Sequence, residues 1–340
     1  MTNTPLILAL PSKGSLHAPM VALLERCFLS PTRSNGGRAY TGHLSGIDDA
    51  SVLYARADDI GELVGSGQAH VGITGLDLFQ ETADAEHSTS VDMVIEDLGF
   101  GQASLEVGIP VTWIDVGDFG DLTEVARDIR INHGRPLRVA TKFPNLTRQH
   151  FITHGLSDFR LVASAGATEA APRSGTADIV VDLVSSGTTY DANGLTTIKH
   201  GLVLNSQACL IASSEPNAWN PTALDAFEHF GGLLSASIRA RNMRALRASF
   251  PSSWTPQPPD TGSDLDELIK NLSDVRVYRT ESGVHELAAT FHTRDVHQVL
   301  ASARRAGALA AKVLECDVMA DYSSSAIDGF LSTISRSSPQ

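Results

Sequence analysis

Between Ala177 and Leu195 the chain reads ADIVVDLVSSGTTYDANGL, and this order narrows the folds open to it more than any other stretch. Ile179, Val180 and Val181 form a continuous apolar run of strand type with Asp182 at its end. A run of small residues and hydroxyls follows from Ser185 to Thr189, and Tyr190 to Leu195 can open a helix. A strand emptying into such a loop and then a helix belongs to an α/β protein. The order suits a sugar phosphate, because small residues let the backbone close on a phosphate and present several amide N–H groups. Ser185, Ser186, Thr188 and Thr189 add hydroxyl donors around Gly187, and Asp182 stands where a carboxylate can accept bonds from ribose hydroxyls. On these residues alone, an ordinary strand-to-helix turn explains the stretch equally well.

Other stretches break the tie. LPSKGSL (Leu10 to Leu16), DLGFGQASLEVGIP (Asp97 to Pro110), RVATKFPNLT (Arg138 to Thr147) and GATEAAP (Gly166 to Pro172) lie upstream of the loop. Together with it they resemble, in order and rough spacing, the motifs of the ATP phosphoribosyltransferase family, whose loop usually reads ADxIVDLVSTGxTLxxNGL. The resemblance implies transfer of a phosphoribosyl group from phosphoribosyl pyrophosphate to N1 of ATP, with pyrophosphate leaving alongside Mg²⁺. It also implies catalytic lobes arranged as in type II periplasmic binding proteins, with the cleft holding the site.

Carried onto this sequence, the resemblance gives the residues Asp178, Asp182, Ser185, Ser186, Gly187, Thr188 and Thr189 to phosphoribosyl pyrophosphate. It gives Lys13, Gly14, Gly75 and Asp77 to ATP, and Arg38, Arg56 and Glu169 to catalysis. Each has a plain alternative. Lys13 stands at a strand-to-helix corner, where an ammonium can reach phosphate or simply face water. Arg38 and Arg56 can fork onto pyrophosphate oxygens or form surface salt bridges. Asp77 can cap a helix, and Glu169 can sit at a helix N-terminus. Ser15 occupies a position where the family commonly has Arg, so one expected cation is missing. No set of metal ligands is legible. His150 and His154 are four apart, but no carboxylate or cysteine completes a set nearby, and they read as solvated.

Length and charge set the outer limits. The 340 residues leave room for two or three domains, and 42% hydrophobic content suffices for real cores. A net charge of −13 argues against a broad nucleic-acid surface and makes the few basic residues inside the motifs the ones to watch. No apolar run approaches the length of about 18 residues needed to span a membrane, and MTNTPLILALPSKG lacks the basic start of a signal peptide. Cys27, Cys209 and Cys316 are few and scattered, which fits a reducing, cytoplasmic setting. GSGQAHVG, from Gly65, is no dinucleotide fingerprint, since a helix precedes it and the strand VGITG follows.

Periodicity predicts strands at Leu6 to Leu10, Ser51 to Ala55, Leu105 to Ile109, Arg138 to Thr141, Arg160 to Ala163 and Val203 to Ala212, and helices to about Leu29, from Asp59, over Leu122 to Asn132 and through His154. Residues 1–99 with 190–215 form the first expected catalytic lobe, 100–189 the second, and 216–340 a linker helix and C-terminal domain. In that last part, strands at Arg244 to Phe250, Val275 to Arg279, His285 to Phe291 and Leu309 to Leu314, with helices at Leu265 to Leu272 and Val296 to Ala306, give the order βαββαβ. This is the plan of a ferredoxin-like, ACT-like domain. The long form of the family carries one and is inhibited by histidine, so a histidine feedback site and a homo-oligomer, dimer or hexamer, are implied. The Pro-Thr element of the long form is replaced here by LSDVRVYRTESG, and Pro251 to Gly262 reads as an insertion. A non-catalytic solute-binding or regulatory module on the same two-lobe plan is the alternative.

Overall fold

A computed structural model describes residues 4–34, 40–82, 90–164, 166–185, 188–254, 268–281, 283–320 and 327–337. The chain divides into two compact units. One comprises residues 1–24, 29–229 and 326–340, the other residues 25–28 and 230–325.

The first unit holds two sheets. In the first sheet the central strands are β1 (Leu6–Pro11), β4 (Ala50–Ala55) and β5 (Val71–Gly75), and β1 runs parallel to both neighbours. Leu6, Leu8, Ala9 and Leu10 are all buried, as a strand covered on both faces requires. Sequence periodicity missed the edge strands β2 (Ser30–Arg33) and β6 (Val91–Ile95) and the strand β3 (Thr41–Ser45) beside β2, which are short or only half apolar. With β12 (Ala208–Ser213) the order is β2-β3-β4-β1-β5-β12-β6. Helices α1 (His17–Arg26), α2 (Ala57–Gly65) and α3 (Leu76–Glu81) follow strands of this sheet. α1 stops short of the expected Leu29, because Phe28 takes a left-handed φ of 59°.

The second sheet has the order β11-β7-β10-β8-β9, from β7 (Ala103–Pro110), β8 (Leu137–Thr141), β9 (Phe159–Ala163), β10 (Ile179–Val184) and β11 (Leu195–Ser206). Its helices are α4 (Phe119–His133), α5 (Pro144–Thr153) and the short α6 (Ala171–Ser174) and α7 (Thr188–Ala192). α4 opens on a capping box: the Asp118 carboxylate accepts from the N–H groups of Gly120 and Asp121, while Asp121 accepts from that of Asp118. It closes on Gly134 at φ 65°.

The apolar run Val203 to Ala212, expected as one strand, is two strands in different sheets. It breaks at Gln207: β11 pairs with β7 in the second lobe and β12 with β5 in the first. The return to the first lobe therefore comes at Gln207 and not at residue 190. The outward crossing lies at Asp97 to Gly101, as the sequence suggests, and the two crossing segments bond to each other through Leu98 N–H to Ala208 O and Ala208 N–H to Phe100 O, both 2.9 Å. Two α/β lobes joined by paired crossings form the type II periplasmic-binding-protein arrangement.

The second unit contains β13 (Met243–Phe250), β14 (Ser273–Arg279), β15 (His285–His292) and β16 (Ala310–Glu315) in the antiparallel order β14-β15-β13-β16, with α9 (Val296–Arg305) covering one face. This is the ferredoxin-like sheet order. The expected first helix falls mostly within 255–267, outside the described residues, as does most of the loop from Pro251 to Gly262; residues 268–270 are helical. Helix α8 (Pro221–Ala240) is divided between the units. The last helix, α10 (Asp328–Ser337), does not belong to the C-terminal domain as expected. Its Phe330 packs against Trp219 and Phe227 in the first unit, with ring centroids 5.8 and 5.5 Å apart.

Candidate active site

A cleft of about 990 Å³ lies between the two lobes of the first unit. It gathers residues at or just beyond the carboxyl ends of strands from both sheets, where ligands of open α/β sheets bind: Lys13 and Gly14 after β1, Gly75 at the end of β5 and Asp77 after it, Lys142 after β8, Ser164 after β9, and Asp182 near the end of β10.

From the first lobe, Lys13 is exposed at the turn after β1. The turn is braced from beneath, since Arg33 donates to Ser12 O at 3.1 Å and stacks 3.8 Å over the Tyr54 ring. Gly14 has φ 88° and open space where a Cβ would sit, so the glycine answers to backbone conformation and leaves room above the turn. Arg56 sits at the rim, paired with Asp58 at 2.7 Å. Asp77 is buried. Burial pushes its carboxyl up, against the bond it accepts from the Ser206 hydroxyl, and its own N–H donates to Ser206 Oγ at 3.1 Å. Ser206 ends β11 at the crossing, so Asp77 ties α3 to the inter-lobe strand. Gly75 is small for the same reason, because a Cβ there would strike the Asp77 carboxylate.

From the second lobe come Lys142, Arg148, Ser164 and Asp182. Asp182 is pushed up by burial, opposed by the Leu183 N–H and by the nearby charge of Lys142; Thr168 bonds to it and Glu169 lies close enough to raise it further. Glu169 is thus beside Asp182 although it does not line the cleft wall itself. Tyr190 anchors the far side of the loop, its hydroxyl donating to Glu106 O at 2.8 Å. The loop is followed by a single short helix, α7, so it has little helix dipole to offer a phosphate. Ser185 and Thr189 are exposed and lie off the cleft wall, and Thr188 opens α7. Ser186, Gly187 and Arg38 lie outside the described residues, as does the Thr188 side chain.

Asp178 is not brought to the cleft. It precedes β10, at the opposite end of that strand from Asp182, and accepts from Arg135 (2.6 Å), Arg138 (2.9 Å) and the Arg138 N–H (2.8 Å). Burial alone would raise its carboxyl, but these bonds prevail and hold it at about 2. His150 and His154 are half-buried rather than freely solvated. Their rings pack on Phe119, and His150 Nε2 meets His200 O at 2.9 Å. No group of three or more His, Cys, Asp or Glu among the described residues is placed to hold a metal ion.

Sequence reasoning overlooked Lys142, Arg148 and Glu81, all of which line the cleft. Lys142 carries the signal that singled out Lys13, a lysine at a strand-to-helix corner inside a motif. Arg148 and Glu81 carry no local signal, because only the meeting of the lobes brings them in.

Comparison with known proteins places the chain in a family. The profile described as ATP phosphoribosyltransferase (HisG) matches residues 56–229. The ATP phosphoribosyltransferase of Afipia carboxidovorans is 42% identical over 250 residues, covering 73% of this chain and 76% of the relative. That of Rhodopseudomonas palustris is 42% identical over 249 residues, covering 73% and 75%. The solved ATP phosphoribosyl transferase (HisG:HisZ) complex from Thermotoga maritima is 19% identical, with a TM-score of 0.49, over 67% of this chain and 98% of that one. From the matched profile and these relatives, the chain belongs to the ATP phosphoribosyltransferase family.

Proposed function

We propose that the cleft transfers the phosphoribosyl group of phosphoribosyl pyrophosphate to N1 of ATP, releasing pyrophosphate, in the first step of histidine biosynthesis. The observation that carries the site reading is the facing of cations across one cleft, Lys13 and Arg56 from one lobe and Lys142 and Arg148 from the other, in a chain of net charge −13. Two polyphosphates can meet there without mutual repulsion deciding the outcome.

In this reading Asp182, with Glu169 beside it, holds the ribose hydroxyls, and the loop from Ser185 to Thr189 takes the 5′-phosphate. Lys13 and Gly14 take the triphosphate of ATP; Gly75 and Asp77 shape the adenine side, with Asp77 acting through its bond to Ser206. Adenine N1 attacks the sugar C1 as the C1–O bond to pyrophosphate breaks, so positive charge grows on the ring and negative charge on the leaving group. Arg56 exchanges Asp58 for the departing pyrophosphate, and Arg38 shares that task. Catalysis rests on alignment and fixed charges.

Phosphoribosyl transfer calls for a divalent metal, and Mg²⁺ is the ion proposed here. The donor set fits an ion held mostly by substrate oxygens, with Asp182 and Glu169 completing its shell, because Mg²⁺ needs only one or two carboxylates beside substrate phosphates. Bound there, it would neutralise charge on the leaving group. The reaction is placed in the cytoplasm, in keeping with the free cysteines Cys27, Cys209 and Cys316. The ferredoxin-like unit is proposed as the seat of histidine feedback and of assembly into a homo-oligomer.

The test is turnover of the purified chain with ATP, phosphoribosyl pyrophosphate and Mg²⁺, followed by product absorbance. Binding of both substrates without turnover would favour a solute-binding or regulatory module instead.

A further inference from the structure

The first turn of α5 has no cap of its own. Phe143 at the N-cap position gives no side-chain bond, and Pro144 at the first helical position has no N–H, which leaves the N–H groups of Asn145 and Leu146 to be satisfied from elsewhere. Glu81, the last residue of α3 in the opposite lobe, supplies the acceptors. Its carboxylate accepts from Asn145 N–H at 2.8 Å through one oxygen and from Leu146 N–H at 3.0 Å through the other. Asn145 answers in the reverse direction, its side-chain amide donating to Glu81 O at 3.0 Å. A helix end in one lobe is therefore closed by a charged residue of the other, through charge-assisted bonds.

These bonds sit on the wall of the cleft, with Glu81, Phe143, Pro144 and Arg148 all lining it. The crossing segments fix where the lobes are hinged, and the Glu81 contact fixes their separation at a second point. A second point of attachment restricts the swing that the hinge alone would allow.

We propose that Glu81 is a positioning residue for the transfer reaction: by capping α5 it holds the second lobe, with Lys142 and Arg148, at the separation from Lys13 and Arg56 at which both substrates are bound. This rests on the transferase reading above. Glu81 need touch neither substrate. If the competent separation is populated only in part, the apparent affinity for each ligand falls by that fraction, and it falls for both ligands alike because one closure serves both.

The experiment measures initial rates of the full chain against ATP and phosphoribosyl pyrophosphate, with Mg²⁺, for the unaltered protein, Glu81→Ala and Glu81→Gln, together with melting temperature and solution scattering. The unaltered protein controls the transferase reading: if it does not turn over, that reading fails, and scattering alone then decides whether Glu81 sets the separation. Glu81→Ala is expected to raise KM for both substrates by one common factor of about three to thirty and to enlarge the radius of gyration. Glu81→Gln, which keeps an oxygen acceptor without the charge, should fall between. A rise in KM for one substrate alone would make Glu81 a direct ligand contact and overturn the proposal. So would unchanged kinetics and scattering, or a lower melting temperature with reduced kcat and unmoved KM values, which is the mark of a merely structural residue. Asn145→Ala, which removes only the side-chain bond to Glu81 O and leaves the carboxylate and both N–H groups in place, should raise both KM values by one common and smaller factor, and a rise for one substrate alone would count against a shared clasp.

Discussion

Asp178 and Asp182 stand four residues apart in one strand region and have opposite fates. Only 10% of the Asp178 side chain is exposed, between Arg135 and Arg138, whereas Asp182 opens onto the cleft. Asp178→Asn should lower stability by roughly 1 to 3 kcal/mol, below the range for a fully buried pair, and leave KM for phosphoribosyl pyrophosphate unmoved. Asp182→Asn should do the reverse, and a joint chemical-denaturation and kinetic comparison separates them. The pH sign follows from Asp178 being held at about 2 against 3.8 for a free aspartate. The unfolded chain binds that proton more tightly, so the Asp178 contribution is complete above pH 3.8 and disappears as pH falls through about 2. Acid unfolding of Asp178→Asn should be correspondingly shallower in that window. Arg56 is exposed and held by Asp58, a surface pair of little structural worth. Arg56→Ala should cut kcat by roughly one to three powers of ten and affect substrate affinity less. A change in affinity alone would make it a ground-state binder.

At the scale of elements, local signals and imported ones separate cleanly. α4 carries its own start and stop signals in Asp118, Asp121 and Gly134, and its placement over Leu122 to Asn132 was legible from spacing. Asp118→Ala removes two accepted bonds and should cost about 1 kcal/mol of stability, read as a lower melting temperature with kinetics intact, because α4 supplies none of the cleft-lining residues. α5 is the opposite case. Its text, FPNL, holds no capping residue, and its cap comes from Glu81, 64 residues earlier in the chain. The run from Val203 to Ala212 shows a third case, in which strand propensity is correct residue by residue but says nothing of a change of sheet at Gln207.

On the whole-molecule scale, α10 bears on how feedback is tested. Cutting the chain near Ser214 would discard the C-terminal domain but also Trp219, Phe227 and Phe330, a cluster that belongs to the first unit. Phe330→Ala should cost about 3 kcal/mol by opening that cluster. Truncation would therefore confuse lost regulation with lost stability. The cleaner measurement titrates histidine against turnover of the full chain and follows the ferredoxin-like unit by hydrogen exchange. Inhibition with protection in residues 230–325 is expected; inhibition with protection confined to the cleft would move the histidine site there, and absence of both would leave the unit to assembly.

What the sequence determined by itself was short in range: apolar runs that become buried strands, turns of small residues at their carboxyl ends, the lysine at such a corner, and the four strands of the last domain. These follow from steric and hydrophobic preferences acting within a few residues, and with the resemblance to the family they marked Lys13, Arg56, Asp77 and Asp182, all of which line one cleft. The tertiary structure decided which of those groups already had partners. Arg135 and Arg138 claim Asp178 from some 40 residues away, Ser206 claims Asp77 across 129, and Glu81 spends its carboxylate on another lobe's helix. A carboxylate's role depends on which donors hold it, and for these residues the donors are brought near only when the sheets pair and the lobes meet.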